Sequence, residues 1–404
     1  MRRWRLWKLL MDFHPRLGTG LGWRPALAGL IESRLETHDL GFVEVLAEHV
    51  NPRALPESLI SLRDKGVPIV VHGLALSLGG AERPSRRRLR HLAACAEALH
   101  APLVSEHLAF VRAGGHDSGH LLPVPRTRNA LDVVCANIAE AQARLPVPLA
   151  LENIATLIEW PESELSEADF LAEIVDRTGV SLLVDVANLY ANARNHGTDP
   201  EALLDRLPLD HLAYVHVAGG IEREDGLYRD THRHAVPPGV FELLGELCAR
   251  SAPPGVLIEW DSNVPTQGEL DAELRAVESV MADGHAPENP VVTRRRYTPA
   301  GDHKAARRKV VGALQTALLA ALVADGPLPS GFDAGAAAAL AADLRRRRCG
   351  AVRSPASWRP FDACACSAAR STASGRSTRK RPGRWARLWR RAGSASSTAA
   401  GASA

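Results

Sequence analysis

The sequence contains no run of about 18 apolar residues, so no membrane-spanning helix is expected. None of its 6 cysteines forms a C-x-x-C pair, which excludes a zinc knuckle and a thioredoxin-type redox motif. Cys95, Cys135 and Cys248 fall far apart in predicted helices, and Cys364 and Cys366 lie in a low-complexity end. Buried or incidental thiols in a reducing cytoplasm are the expectation. The net charge is only +3, too small to imply a polyanionic partner for the whole chain. No Ser/His/Asp arrangement and no nucleophilic-cysteine motif is visible. The G-T-G-L-G run of residues 18–22 has no acidic residue where a dinucleotide site needs one, which argues against an open, doubly wound nucleotide fold.

What is there is an ordinary globular composition, 46% hydrophobic and 24% charged over 404 residues. That length holds one large domain and a smaller piece. Arginine greatly outnumbers lysine and alanine is abundant, as in a GC-rich gene. Residues 1–16 are basic and aromatic at the start and lack the apolar core and cleavage site of a signal peptide. They are expected to be a flexible extension, with Met11 a plausible true start.

Residues 17–286 alternate strand and helix. Strands are expected at Leu17–Trp23, Phe42–Val50, Pro68–Gly73, Leu103–Phe110, Pro148–Ala155, Ser181–Tyr190, His211–Gly219 and Gly255–Asn263, each followed by a helical pattern. Residues 112–126, rich in glycine and histidine, read as a loop. Ser85 and Ser166 read as helix caps, Ser166 with Asp169 in a capping-box pattern. Eight such units predict a TIM (β/α)8 barrel. Residues 287–304 read as a linker and 305–348 as a small helical domain, with helices at Ala305–Ala324 and Ala334–Arg348. Residues 349–404 are Ser-, Arg-, Ala- and Gly-rich without apolar periodicity and are expected to be disordered, a frameshift in a GC-rich frame being the suggested origin. The Arg/Trp segment Arg379–Arg391 could touch nucleic acid or membrane, but neither partner is expected.

Metal-capable residues stand at or just past the ends of six consecutive strands: His72, His107, Glu152, Asp185, His216 and Glu259. Loops add Asn188, His196, Asp230 and His232. A lone histidine in a strand is more often a satisfied core or surface residue, and D-T-H at residues 230–232 could be a simple turn. In a barrel, however, strand C-termini converge on one face. Ionisable groups sharing one cavity would repel or need costly desolvation without cations among them. Imidazole plus carboxylate without thiolate argues against structural zinc, and calcium and magnesium prefer all-oxygen shells, leaving iron, manganese or catalytic zinc. So many candidate ligands exceed the needs of one ion. Two or three ions bridged by a carboxylate fit better, with Glu152 the expected bridge. Glu106, Asn153 and Asp261 are placed to orient the ligands, and Glu48 is either such a partner or simply exposed.

The motifs V-H-G at His72, S-E-H-L-A-F at His107, L-E-N-I at Glu152, V-D-V-A-N-L-Y at Asp185, N-H-G at His196, H-V-A-G at His216, D-T-H at residues 230–232 and I-E-W-D-S-N at Glu259 occur in this order. Together they resemble the DUF692 family, the multinuclear non-heme iron-dependent oxidative enzymes that include methanobactin-biosynthesis proteins. The resemblance covers roughly residues 17–282. It implies a TIM barrel holding two or three irons at its strand ends, with dioxygen as co-substrate. It also implies a cytoplasmic enzyme that modifies cysteines of a ribosomally made precursor peptide, often beside a partner protein that binds the peptide leader. The sequence departs from the pattern after the first strand, where G-W-R-P replaces a histidine found in some members. It departs again at Ala187, where asparagine is common. Residues 307–348 resemble a helical domain of actinobacterial members, which either engages the peptide or partner or packs on the barrel.

Three functions compete on this reading. The first is an iron-dependent oxidase acting on peptide cysteine. The second is a divalent-metal isomerase or phosphodiesterase of the xylose isomerase-like superfamily. The third is a non-catalytic, metal-dependent peptide-binding protein.

Overall fold

The computed structural model describes residues 16–37, 40–284, 304–324 and 328–351. Parallel strands β1 (Gly18–Trp23), β2 (Phe42–Leu46), β3 (Ile69–Gly73), β4 (Val104–His107), β7 (Leu149–Glu152), β8 (Ser181–Asp185), β9 (Leu212–Ala218) and β12 (Gly255–Glu259) close into a barrel. Closure is sealed by β1, which pairs with β2 on one side and β12 on the other. Two antiparallel hairpins rise from the βα loops, β5 (Phe110–Ala113) with β6 (His116–Leu122) and β10 (Gly220–Glu222) with β11 (Tyr228–Asp230).

Helices α1 (Ala28–Thr37), α2 (Glu57–Asp64), α3 (Arg86–Leu99), α4 (Arg128–Gln142), α5 (Glu167–Thr178), α6 (Val186–His196), α7 (Pro200–Leu204), α8 (Pro238–Arg250) and α9 (Gln267–Asp283) cover the barrel. Their starts follow local chemistry. Thr127, Ser166 and Thr266 each accept a backbone N–H of the first turn, and Thr266 with Glu269 forms a reciprocal capping box. Ser85 precedes α3 without such a bond, and Ser166 pairs with Asp169 through a one-way bond plus a side-chain contact.

Side chains alternate along each strand. Val43, Val45, Val71, Val104, Leu151, Val184, Val215, Val217, Val256 and Ile258 join the large core beneath the helices. Phe42, Val70, Leu103, Ala150, Leu183 and Leu257 form a separate apolar plug inside the barrel. Gly20 of β1 lies against this plug and not in a phosphate loop. A Cβ on Gly20 would lie 2.4 Å from the Phe42 ring, so only glycine lets that ring fill the barrel there.

The chain departs from the sequence reading at three places. The second strand stops at Leu46 and turns into a short 3-10 segment, Ala47–His49. The sixth stops at Asp185, whose carboxylate accepts the N–H groups of Ala187 and Asn188 and starts α6, so Val186–Tyr190 is helix and not strand. Residues 112–126 are not a plain loop, because Gly114 and Gly115, at φ of 57° and 79°, turn β5 back into β6.

Beyond the barrel, α10 (Lys304–Ala324) and α11 (Ala334–Ala351) form the expected helix pair, the second running past Arg348. Leu318, Leu319, Leu322, Leu340 and Leu344 pack with Phe110, Leu122, Ile158 and Trp160 in a second core. Polar contacts tie the pair to the barrel loops. Gln315, fully buried, accepts the Ala81 N–H at 2.8 Å and donates to the Gly79 carbonyl at 2.8 Å. Arg229 of β11 pairs with Asp343 at 2.8 Å. The expected flexible start, linker and disordered tail lie outside the described residues, save for the helical residues up to Ala351. No described helix is long and apolar enough to cross a membrane.

Candidate metal centre

Two residues beyond the apolar plug, on the same inward side, the strands change character. Phe42 is followed by Glu44, Val70 by His72, Leu103 by Ser105, Ala150 by Glu152, Leu183 by Asp185, and Leu257 by Glu259. A strand places residues i and i+2 on one face, so the plug becomes the floor of a polar layer at the C-terminal rim. Each of these residues, with His107 and His216, is buried.

Glu152 sits at the centre. Its Oε2 lies 3.3 Å from His72 Nε2 and 3.2 Å from His107 Nε2, while Oε1 lies 3.4 Å from His216 Nδ1. His216 Nδ1 is also 3.4 Å from Glu259 Oε2, which in turn is 3.4 Å from His232 Nδ1. Donor groups able to hold a cation overlap: His72, His107 and Glu152; Glu152, Asp185 and His216; Asp185, Asp230 and His232; His232, Glu259 and Asp261. Glu152, Asp185 and His232 each belong to two of these groups. A fifth group joins Glu44, His216 and Glu259.

These donors fit metal ions. Two ligand atoms about 2.1 Å from one ion lie about 3.0–3.4 Å apart at octahedral to tetrahedral angles, which is the spacing seen here. Glu152 Oε2, Asp185 Oδ2, Asn188 Oδ1, His216 Nδ1, Asp230 Oδ1 and His232 Nδ1 are all buried without a hydrogen-bond partner. Orphaned acceptors gathered in a dry cavity are costly unless a cation meets them. Electrostatics says the same. Burial opposes every charge here, yet Glu152 and Glu106 lift His107 to about 9, and His107, His216 and His72 hold Glu152 down at about 2. Burial, with Asp230 and Glu152 beside it, pushes Asp185 well above the usual carboxylate range. In the metal-free chain, protons on imidazoles supply the cationic charge the cavity demands.

The surrounding contacts orient these groups. His107 Nδ1 faces the Gly73 carbonyl at 3.2 Å, which leaves Nε2 for Glu152's side. Glu106 accepts the Leu76 and His107 N–H groups and so fixes the β3–α3 loop. Asn153 brackets the Asp185 peptide, accepting its N–H and donating to its carbonyl. His232 holds Asp230 at 2.5 Å and sits at a φ of 52°, a left-handed backbone that costs a non-glycine residue about 1–2 kcal/mol. Such strain recurs where a side chain must be aimed.

Two sequence expectations change. His196 does not join the cluster. It ends α6, about 16 Å along the helix axis from Asp185, and its Nε2 contacts Thr156 Oγ1 at 2.8 Å. Asn188 lies on α6 rather than in a loop, in the turn that Asp185 caps, and it donates to the Asn153 carbonyl. Two further residues belong to the site without a clear signal in the sequence. Glu44 lies in the middle of β2, where F-V-E-V-L gave no strand-end signal. Arg24, in the G-W-R-P departure, sets its guanidinium 2.7 Å from Glu259 and 2.6 Å from Asp261, a built-in cation on two carboxylates of the outer group.

Glu48 is neither idle nor freely exposed. Burial, reinforced by Glu106, pushes its carboxyl up to about 7, although it accepts the Leu74 N–H. A folded-state value above the unfolded one, about 4.3, means that its proton adds stability fully below the unfolded value and that this is lost as pH rises through 7. In the metal-free protein, Glu48→Gln is therefore expected to raise the melting temperature more at pH 8 than at pH 5. An equal gain at both pH values, by thermal unfolding, would remove Glu48 from this account.

Residues 18–282 match the family described as RiPP precursor modification enzyme MbnB/TglH/ChrH. The chain belongs to that family. Residues 312–365 match an SCO6045-like C-terminal domain, which takes in part of α10 and all of α11. Among curated relatives, a UPF0276 protein of Streptomyces avermitilis is 46% identical over 367 residues, 78% of this chain and 74% of that one. A UPF0276 protein of Chromobacterium violaceum is 38% identical over 263 residues, 65% of this chain and 94% of that one. Solved structures include endonuclease IV from Thermus thermophilus, at 20% identity and TM-score 0.43 over 66% of this chain and 99% of that one. A xylose isomerase domain protein from Planctomyces limnophilus gives 16% identity and TM-score 0.45 over 67% and 98%.

Proposed function

We propose that this member of the RiPP precursor modification family is an iron-dependent oxidase that modifies cysteine side chains of a ribosomally made precursor peptide, with dioxygen as co-substrate. The observation that carries the reading is the shared carboxylate, Glu152, placed between one donor group of two histidines and another of Asp185 and His216. Such a set suits two ions held close together, with the outer group around His232 as a third position. Imidazole and carboxylate without thiolate suit iron.

Bound iron would supply one-electron chemistry and open positions for dioxygen and a thiolate. The chain's residues do the rest. His72, His107 and Glu152 would hold one position, and Glu152, Asp185 and His216 the next. Arg24 balances the charge of Glu259 and Asp261. The apolar plug closes the cavity from below. Among the described residues burial pushes the thiols of Cys95, Cys135 and Cys248 up to about 12, 12 and 11, which suits a thiol brought by the substrate. A Cys-containing precursor peptide, a leader-binding partner protein and a cytoplasmic setting complete the proposal.

The test is metal analysis followed by oxygen uptake. Protein isolated with two or three irons per chain, consuming dioxygen only when offered a Cys-containing peptide encoded beside its gene, is the expected result. Colourless zinc-loaded protein that hydrolyses a phosphodiester or isomerises a sugar would replace it with the second reading. Metal-bound protein that holds the peptide without turnover would replace it with the third.

A further inference from the structure

Beneath the candidate ligands lies a buried chain of hydrogen bonds. His72 Nδ1 is 2.7 Å from Ser105 Oγ, Ser105 Oγ is 2.7 Å from Tyr214 Oη, and Tyr214 Oη is 2.6 Å from Glu44 Oε2. The same Glu44 oxygen is 2.9 Å from His216 Nε2. Four strands contribute, and all five side chains are at most 1% exposed.

We propose that Glu44, Tyr214 and Ser105 act as one positioning unit that fixes the tautomers of His72 and His216, so that His72 Nε2 and His216 Nδ1 are the nitrogens left to meet a cation beside Glu152. The inference rests on the metal-centre reading above. The direction of each bond follows from donor counting. A carboxylate only accepts, so Tyr214 must spend its single proton on Glu44. Tyr214's oxygen is then the acceptor for the Ser105 hydroxyl. Ser105, its proton committed, accepts from His72, and the His72 proton must sit on Nδ1. At the other end, His216 Nε2 donates to Glu44, which leaves Nδ1, an atom with no hydrogen-bond partner. One buried carboxylate thus sets the outward-facing nitrogen of two histidines on different strands. It reaches one of them directly and the other through two hydroxyls.

The unit predicts an effect at a distance. Tyr214 has no hydrogen bond to His72, and Phe matches its shape. In Tyr214→Phe the Ser105 hydroxyl loses its acceptor and turns its proton to His72 Nδ1. The imidazole proton then moves to Nε2, the atom that faces Glu152 at 3.3 Å.

Selective 15N labelling of histidine reads the tautomer directly in the metal-free protein. Wild type is expected to carry its His72 proton on Nδ1, and Tyr214→Phe on Nε2. Competition titration with Co2+ and a chromophoric chelator is expected to show roughly 10–100-fold weaker binding in Tyr214→Phe and in Ser105→Ala, the usual cost of losing a ligand's orienting partner. A wild-type His72 proton on Nε2 would overturn the proposal without any variant. So would folded Tyr214→Phe with unchanged tautomer and affinity. If Tyr214→Phe does not fold, wild-type Co2+ affinity in Ser105→Ala overturns it instead. Wild-type protein that binds no Co2+ would sink the metal-centre reading, while the tautomer measurement still judges the hydrogen-bonded unit.

Discussion

Replacing Glu152 by alanine is expected to leave a folded protein with less than roughly a tenth of its metal. Glu152 lies within 3.4 Å of His72, His107 and His216 together. Its loss removes a ligand from two donor groups at once, and it leaves three imidazoles facing one another with no anion between them. On the proposed two-ion arrangement the loss also removes the charge that would let two cations sit close together, so a deficit at both positions is expected and not half of it. The barrel itself should persist, because Glu152 contributes nothing to the apolar plug or to the layer beneath the helices. Metal analysis of the purified variant beside its far-ultraviolet circular dichroism makes the comparison. Wild-type metal content with an intact helical signal would show that the convergence of these groups has no bearing on cation binding.

Trp160→Ala is expected to lower stability by about 3–5 kcal/mol, the range for truncating a buried aromatic. Trp160 is only 3% exposed and joins the barrel's loops to the C-terminal helices. Its ring lies 5.1 Å from that of Phe332 and 6.4 Å from that of Phe110, and its indole N–H donates to the Pro123 carbonyl at 2.7 Å. Alanine there leaves a cavity among Phe110, Leu122 and Leu340 and an unpaired carbonyl. The main core does not include these residues, so the loss should fall on α10 and α11 first. Denaturant unfolding is expected to split into two steps, with amides of the C-terminal helices exchanging sooner than those of the strands. A single transition at the wild-type midpoint would mean that the second core adds little to stability.

Much of the site was legible because polar residues break apolar strands. His72, His107, Glu152, Asp185 and Glu259 each end or nearly end such a run, and barrel topology does the convergence. Glu44 escaped because it stands mid-strand, where only its two-residue offset from Phe42 marks it as inward-facing. Asn188 and His196 were misplaced for a different reason. V-A-N-L-Y reads as a continuing strand by composition, but an aspartate just before it offers its carboxylate to the next free N–H groups and bends the chain into a helix. The same helix carries His196 away. The β5–β6 hairpin had its signal in G-G at residues 114–115, masked by polar and charged neighbours that suggested an irregular loop. Arg24 was visible only as a departure from the family pattern; its partners, Glu259 and Asp261, stand 235 and 237 positions away.

Gln315 carries a consequence for how the molecule is made. It reaches back 234 residues to accept the Ala81 N–H, and it donates its own amide N–H to the Gly79 carbonyl. A ribosome adding about 5–20 residues per second will have exposed the third βα loop long before this glutamine emerges. That loop must wait, incompletely bonded, through most of translation. Its final locking is a late event, and a nascent chain stalled before the C-terminal helices should hold a barrel whose rim is still open to water at that point.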